Sequence, residues 1–214
     1  MSDHATRVTG FVIPVGNGAV GKTTLALTLS QESIPASWHQ QIQEIRKSKN
    51  LEFEFVPDYF TYHGQPYKVL QQYLIPPGQK REDGSVDGRS FDDVMDIYRF
   101  HIRRIDVAIL SYKITAINTF HDIEFWVRKV VPLINDRTNF ILVGTHLDLS
   151  QAREVDEDRV AKGRAHITKL MKKCQPSWHG YCLAMEVSNM SGENIRRLRN
   201  LISCGILHAR GIII

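Results

Sequence analysis

Gly16-Asn17-Gly18-Ala19-Val20-Gly21-Lys22-Thr23 meets the phosphate-binding pattern G-x-x-x-x-G-K-[ST] at every fixed position. An apolar run, Thr9 to Val15, precedes it, and a helix-prone run, Thr24 to Ser30, follows. Strand, glycine-rich loop and helix in that order separate a phosphate cradle from a turn that fits the pattern by chance. Glycines let successive backbone N–H groups turn inward as an anion-binding nest. The helix aims its positive end at the same point. Lys22 then reaches the β- and γ-phosphates, and the Thr23 hydroxyl ligates Mg²⁺. Gly16 to Thr24 is thus the expected cradle of a nucleoside di- or triphosphate.

The chain has 214 residues, 43% of them hydrophobic, enough for one good-sized core. A single α/β domain over residues 1–214, with its core at about 7–208, is expected. Net charge is +4, from 27 basic and 23 acidic residues. The basic residues fall in small clusters (Arg46-Lys47-Lys49, Arg103-Arg104, Lys172-Lys173, Arg196-Arg197) that read as solvated faces, so nucleic acid is not the expected partner. Cys174, Cys182 and Cys204 lack paired metal spacing and are odd in number, which suits free thiols in a reducing cytosol. No signal peptide and no membrane-length apolar run occurs. Met1-Ser2-Asp3 offers no myristoylation glycine and Ile212-Ile213-Ile214 no prenylation cysteine, so a cytoplasmic protein without a direct membrane anchor is expected.

Beyond the loop, strands alternate with helices. Thr24–Gln31 reads as a helix with Leu25 and Leu29 facing a core, and Glu32–Asn50 as its polar end plus a mobile loop. Leu51–Tyr62 and Tyr67–Ile75 form an antiparallel hairpin around His63-Gly64-Gln65-Pro66, despite Pro57. Lys80–Ser90 is a charged loop and Phe91–Arg104 a helix. Asp106–Tyr112 is a buried strand, and Thr119–Ile134 is one helix carrying Phe120, Ile123, Val127, Val130 and Ile134 in register. Phe140–Val143, Val155–Lys173, Tyr181–Val187 and Glu193–His208 follow as strand, helix, strand and helix. The pattern implies a mostly parallel six-stranded sheet with one antiparallel edge strand and helices on both faces.

Ligands in such sheets sit beyond the carboxyl ends of the strands. There the chain places the phosphate loop, Pro76-Pro77-Gly78-Gln79, Thr145-His146-Leu147-Asp148 and Ser188-Asn189-Met190-Ser191-Gly192. A carboxylate at a strand end can accept from the N1–H and 2-amino groups of guanine, a donor pair that adenine lacks. Taken alone, Asp148 before Leu149-Ser150 is more often a helix cap or turn former.

These motifs resemble those of the Ras-like small GTPases. The loop is similar to their GDGAVGKT form, Thr145-His146-Leu147-Asp148 to their base-reading [NT]-K-x-D, and Glu186 to Ile195 to their ETSAKTGENI. Pro77-Gly78-Gln79 stands where the family has D-x-x-G-Q. The likeness runs from Arg7 to His208, in the family's order. It implies GTP and GDP as ligands with Mg²⁺, and Asp148 as guanine reader. Thr145, His146, Ser188, Asn189 and Met190 would surround the base, Gly78 the γ-phosphate, and Gln79 the attacking water. Ile75 occupies the position of an aspartate that supports Mg²⁺, a departure shared with the gliding-motility (MglA) branch, whose F-x-F-x-P strand Phe53–Pro57 also resembles. The T-H-L-D form instead resembles Roc domains. His146 replaces a lysine. No threonine stands at the first switch, where Ser48 is the hydroxyl candidate for Mg²⁺ and Lys49 a candidate cationic finger beside one supplied by a partner. Lys80–Ser90 is longer than the usual second switch by roughly ten residues.

The implied function is a GTP-driven switch with slow intrinsic hydrolysis, as a monomer or a nucleotide-dependent dimer. Effectors, activating proteins and exchange proteins would engage loops 32–50 and 78–90. The alternative is a non-hydrolysing, nucleotide-bound scaffold, favoured by Ile75 and the missing threonine and opposed by Gly18, Gly78 and Gln79. A small-molecule P-loop kinase ranks third, since no acceptor lid is evident.

Overall fold

The computed structural model describes residues 5–35, 37–38, 40–41, 53–76, 91–98 and 104–214. Among the described residues are six strands: β1 (Thr6–Val15), β2 (Phe53–Tyr62), β3 (Gln65–Leu74), β4 (Ile105–Lys113), β5 (Ile134–Thr145) and β6 (Cys182–Glu186). Around them lie α1 (Lys22–Ser30), α2 (Phe91–Tyr98), α3 (Ile117–His121), α4 (Ile123–Val130), α5 (Glu157–Cys174) and α6 (Ile195–Ala209). The sheet order is β2-β3-β1-β4-β5-β6, parallel throughout except for β2, which runs antiparallel to β3 at one edge.

Central strands buried on both faces read as unbroken apolar runs, and β4 obeys this. Ala108 and Leu110 pack on the face shared with Trp126, Phe140, Ile167 and Met171. Val107 and Ile109 pack on the opposite face with Leu25, Leu29, Leu198 and Ile202. Each such side chain contributes about 1.5–3 kcal/mol by leaving water. Pro57 sits in the edge strand, where a missing N–H costs no ladder bond. The hairpin is also pinned from beneath: Ser203 Oγ donates to Asp58 Oδ2 at 2.7 Å, and Gln71 Nε2 donates to Ser203 Oγ at 2.8 Å.

Several expectations need correction. Thr119–Ile134 is not one helix: α3 and α4 meet at Asp122, a 3₁₀ turn covers Val131–Leu133, and Ile134 opens β5. Pro132 lacks an N–H and cannot continue an α-helix, so the apolar register of Val127 and Val130 ends there. The Phe91–Arg104 helix is described only to Tyr98, and residues 99–103 lie outside the described residues. Arg104 is no solvated cluster member: its Nε meets the fully buried Asp106 at 3.2 Å, which also accepts from Arg210 Nη2 and Phe11 N–H, each at 2.8 Å. That staple carries the fold past residue 208 to Arg210. Within 32–50, Trp38 is buried rather than part of a mobile loop. Among the described residues Cys174, Cys182 and Cys204 are free thiols.

Candidate nucleotide site

β1 stops at Val15 and α1 starts at Lys22, so residues 16–21 turn over the end of the sheet. Gly16 has φ +145, and a Cβ there would collide with the carbonyl oxygen of Ser111, so the sharp departure from β1 demands glycine. Gly21 caps α1 at φ 91, with no side chain taking up the first N–H groups and no acidic residue in the first turn. The positive helix end is left to an external anion. Gly18 and Ala19 lie exposed at the lip, Ala19 in the left-handed region at φ 59. Such a conformation costs about 1 kcal/mol or more and persists because its surroundings impose it. Val20 is buried beneath the loop and Thr24 beneath α1, while Thr23 is half-buried beside Lys22.

Lys22 is 7% exposed, and its Nζ donates to the carbonyls of Gly16 and Asn17, both at 2.9 Å. Burial pulls its ammonium down to about 8. No carboxylate pairs with it among the described residues. A buried cation that lacks an anion is poised to gain from a phosphate.

The other loops are tied to this one. The Thr145 hydroxyl lies 2.8 Å from the Val20 carbonyl and 3.0 Å from the Tyr112 carbonyl, sharing its single proton between them. His146 Nδ1 is 2.8 Å from the same oxygen, and in the tautomer protonated there it donates to it. His146 itself is held at φ 66, which turns the chain towards Leu147 and Asp148. Asp148 is exposed, and its Oδ1 accepts from the buried Ser188 hydroxyl at 2.6 Å. The same Ser188 oxygen accepts from the N–H groups of Met190 and Ser191 at 3.1 and 3.0 Å, which fixes the turn after β6. Asn189, 6% exposed, donates to the Gly21 carbonyl at 3.2 Å.

Two anchors were not legible in the motif spacing. Asn17 was expected in the phosphate cradle, and its side chain donates to Asp122 Oδ2 at 2.6 Å and accepts from Trp126 Nε1 at 2.8 Å, which roots the loop on α4. Trp38 Nε1 donates to the Asn189 carbonyl at 2.8 Å. Ile75 is 5% exposed and packs with Leu25 and Val187 in the core, so its position presents no group to a metal. Gly78, Gln79, Ser48, Lys49, loop 78–90 and residues 42–50 lie outside the described residues. No cluster of three or more His, Cys, Asp or Glu side chains suited to a metal occurs among the described residues.

The Ras family model matches residues 89–175. Ras-related protein Rab-30 of Homo sapiens is 21% identical over 196 residues, covering 92% of this chain and 79% of that protein. These findings support a Ras-like small GTPase superfamily. Ras-related protein Rab-21 of Geodia cydonium is 26% identical over 146 residues, 68% of this chain and 54% of that protein. Ras-related protein Rab-12 of Mus musculus is 25% identical over 166 residues, 78% of this chain and 58% of that protein. The small-GTPase likeness thus extends well beyond the segment that the family model covers. Among the described residues, no helix is long and apolar enough to cross a membrane.

Proposed function

We propose that the chain is a guanine-nucleotide switch that binds GTP and GDP with Mg²⁺ and hydrolyses GTP slowly without a partner. The observation that carries this reading is the pair of bonds from Thr145 to Val20 and from Asn189 to Gly21. They tie the base-side loops and the phosphate loop together.

In this reading the open N–H groups of residues 16–23 take the phosphates, and Lys22 exchanges its two carbonyl contacts for phosphate oxygens. Asp148, oriented by Ser188, accepts from guanine, while His146, Asn189 and Met190 line the base pocket. Thr23 is the described residue that fits a Mg²⁺ ligand: its hydroxyl stands at the N-terminus of α1 beside Lys22. Mg²⁺ retains most of its waters and needs few protein oxygens, so a site without a carboxylate at residue 75 still suits it. Thr23 would hold the metal there, and the metal would supply positive charge to offset that of the phosphates. Ser48 as second hydroxyl ligand, Lys49 as finger, and Gly78 and Gln79 at the γ-phosphate complete the assignment.

Loops 32–50 and 78–90 are the surfaces proposed for effectors, exchange proteins and activating proteins, with the chain a monomer or a nucleotide-dependent dimer in the cytoplasm. The MglA-like branch is the nearest subfamily reading, from Ile75 and Phe53–Pro57, with a Roc-like T-H-L-D. The burial of Ile75 favours a second reading, a GTP-holding scaffold with little turnover. Identification of the nucleotide that co-purifies, followed by single-turnover hydrolysis, tests both. A guanine nucleotide with slow turnover supports the switch, and one with none supports the scaffold. An adenine nucleotide overturns both.

A further inference from the structure

Among the described residues the sheet ends on one side at β6, which pairs there only with β5. Its peptide groups alternate in direction. The Tyr181 carbonyl accepts from Phe140 N–H, and Val187 N–H donates to the Gly144 carbonyl, both at 2.8 Å. Residues 181, 183, 185 and 187 therefore face β5, and Cys182, Ala184 and Glu186 turn their N–H and C=O groups outward. Two outward carbonyls are met by side chains: Arg164 Nε donates to Cys182 at 3.3 Å, and Asn194 Nδ2 to Glu186 at 2.9 Å. The other outward groups of this edge face away from the sheet.

Beside the edge runs a trough walled by α5. Two concavities, of about 630 and about 290 Å³, adjoin at Ala161 and Arg164 and reach the strand at Cys182 and at Ala184 to Glu186. The small Ala161 and Ala165 give the trough its width. Its charge is uneven. Lys169 and Lys172 line one end and Arg164 the junction, and none of them pairs with a carboxylate among the described residues. At the other end stand the exposed Glu157 and the half-buried Glu186, the latter already held by Arg153 through bonds of 2.5 and 2.6 Å.

We propose that this trough receives an extended acidic peptide from a protein partner, added as a further strand on β6. The outward N–H groups of Cys182, Ala184 and Glu186 and the Ala184 carbonyl supply main-chain bonds, as strand addition requires. The alanines admit the backbone, and the cationic end selects acidic side chains at one end of the peptide. A five-residue strand limits the paired stretch to about five or six residues. This surface is separate from the nucleotide cleft and does not depend on the reading of that site.

Three labelled eight-residue peptides on one alternating valine scaffold test the proposal against the full chain. One carries three aspartates at one end, the second carries lysines there, and the third is the aspartate peptide N-methylated at alternate residues. The aspartate peptide is expected to bind and to slow hydrogen exchange at the Ala184 and Glu186 amides. Lys169→Glu with Lys172→Glu should weaken it about tenfold at low salt and less at high salt. Ala161→Leu, at an exposed helix position that leaves the ladder alone, should weaken it as well. Absence of aspartate-peptide binding would overturn the proposal. So would equal binding of the lysine or N-methylated peptide, displacement by a short single-stranded oligonucleotide at equal affinity, or protection of those amides by self-association.

Discussion

Lys22→Met should raise the melting temperature of the nucleotide-free protein while abolishing its response to GTP. Two terms oppose each other in the parent. Displacement of the ammonium from 10.5 to about 8 by burial corresponds to about 3 kcal/mol of disfavoured charge at neutral pH. Its bonds to Gly16 and Asn17 return about 1 kcal/mol each. The balance leaves roughly 1 kcal/mol against the lysine, which for a chain of this size is about 2–4 °C. Nucleotide reverses the order. Ligand at a hundred times its Kd adds about 2.7 kcal/mol to the parent and little to the variant. The folded value lies below the unfolded one, so the penalty is complete below about 8 and disappears as pH rises towards 10.5. The parent should therefore gain stability relative to Lys22→Met across that window. Thermal denaturation of nucleotide-stripped protein, with and without GDP or GTP from pH 7 to 10, reads all three effects. A nucleotide-free variant that melts several degrees below the parent, or one that GTP still stabilises, would refute the reasoning.

Asp148→Asn should weaken GTP by tenfold or more and improve xanthosine triphosphate, read by competition; unchanged base preference would remove Asp148 from the site. Thr23→Ala should abolish the Mg²⁺-dependent tightening of GTP seen by titration, and retained tightening would point to another ligand. Thr145→Val leaves the carbonyls of Val20 and Tyr112 without their hydroxyl donor, at a cost of about 1–3 kcal/mol, and should speed GDP release in a stopped-flow assay. Gln79→Leu should remove most of any partner-stimulated turnover, and fast turnover of the isolated chain that ignores the substitution would end the role given to Gln79.

The phosphate loop and the inner strands were legible because their constraints are local. Glycine at 16 answers a backbone conformation and a near carbonyl, and the apolar run of β4 answers burial on both faces. The helix break was misread because Val127 and Val130 keep a helical register up to Pro132, and periodicity counts side chains without noticing a lost donor. Trp38 was invisible for the opposite reason: it stands in a polar stretch with no period, and its partner lies 151 residues away. Asn17 shows how a motif conceals a contact. The pattern leaves its side chain unspecified, and only the packing of α4 gives it Trp126 and Asp122 to hold.

The chain's three tryptophans give this cleft an optical readout. Trp38 is bonded to the loop after β6 and Trp126 to the phosphate loop, while Trp178 is buried against Phe140 and bonded to the Thr138 carbonyl, in the body of the sheet. Indole emission responds to the hydrogen bond at Nε1 and to nearby dipoles, so nucleotide entry and exit should register as a change from two of the three emitters. Trp178→Phe would strip the constant background, and substitution of Trp38 or Trp126 in that variant would separate the base side of the cleft from the phosphate side. The unlabelled protein thereby becomes its own sensor for the order in which the two halves of the cleft respond.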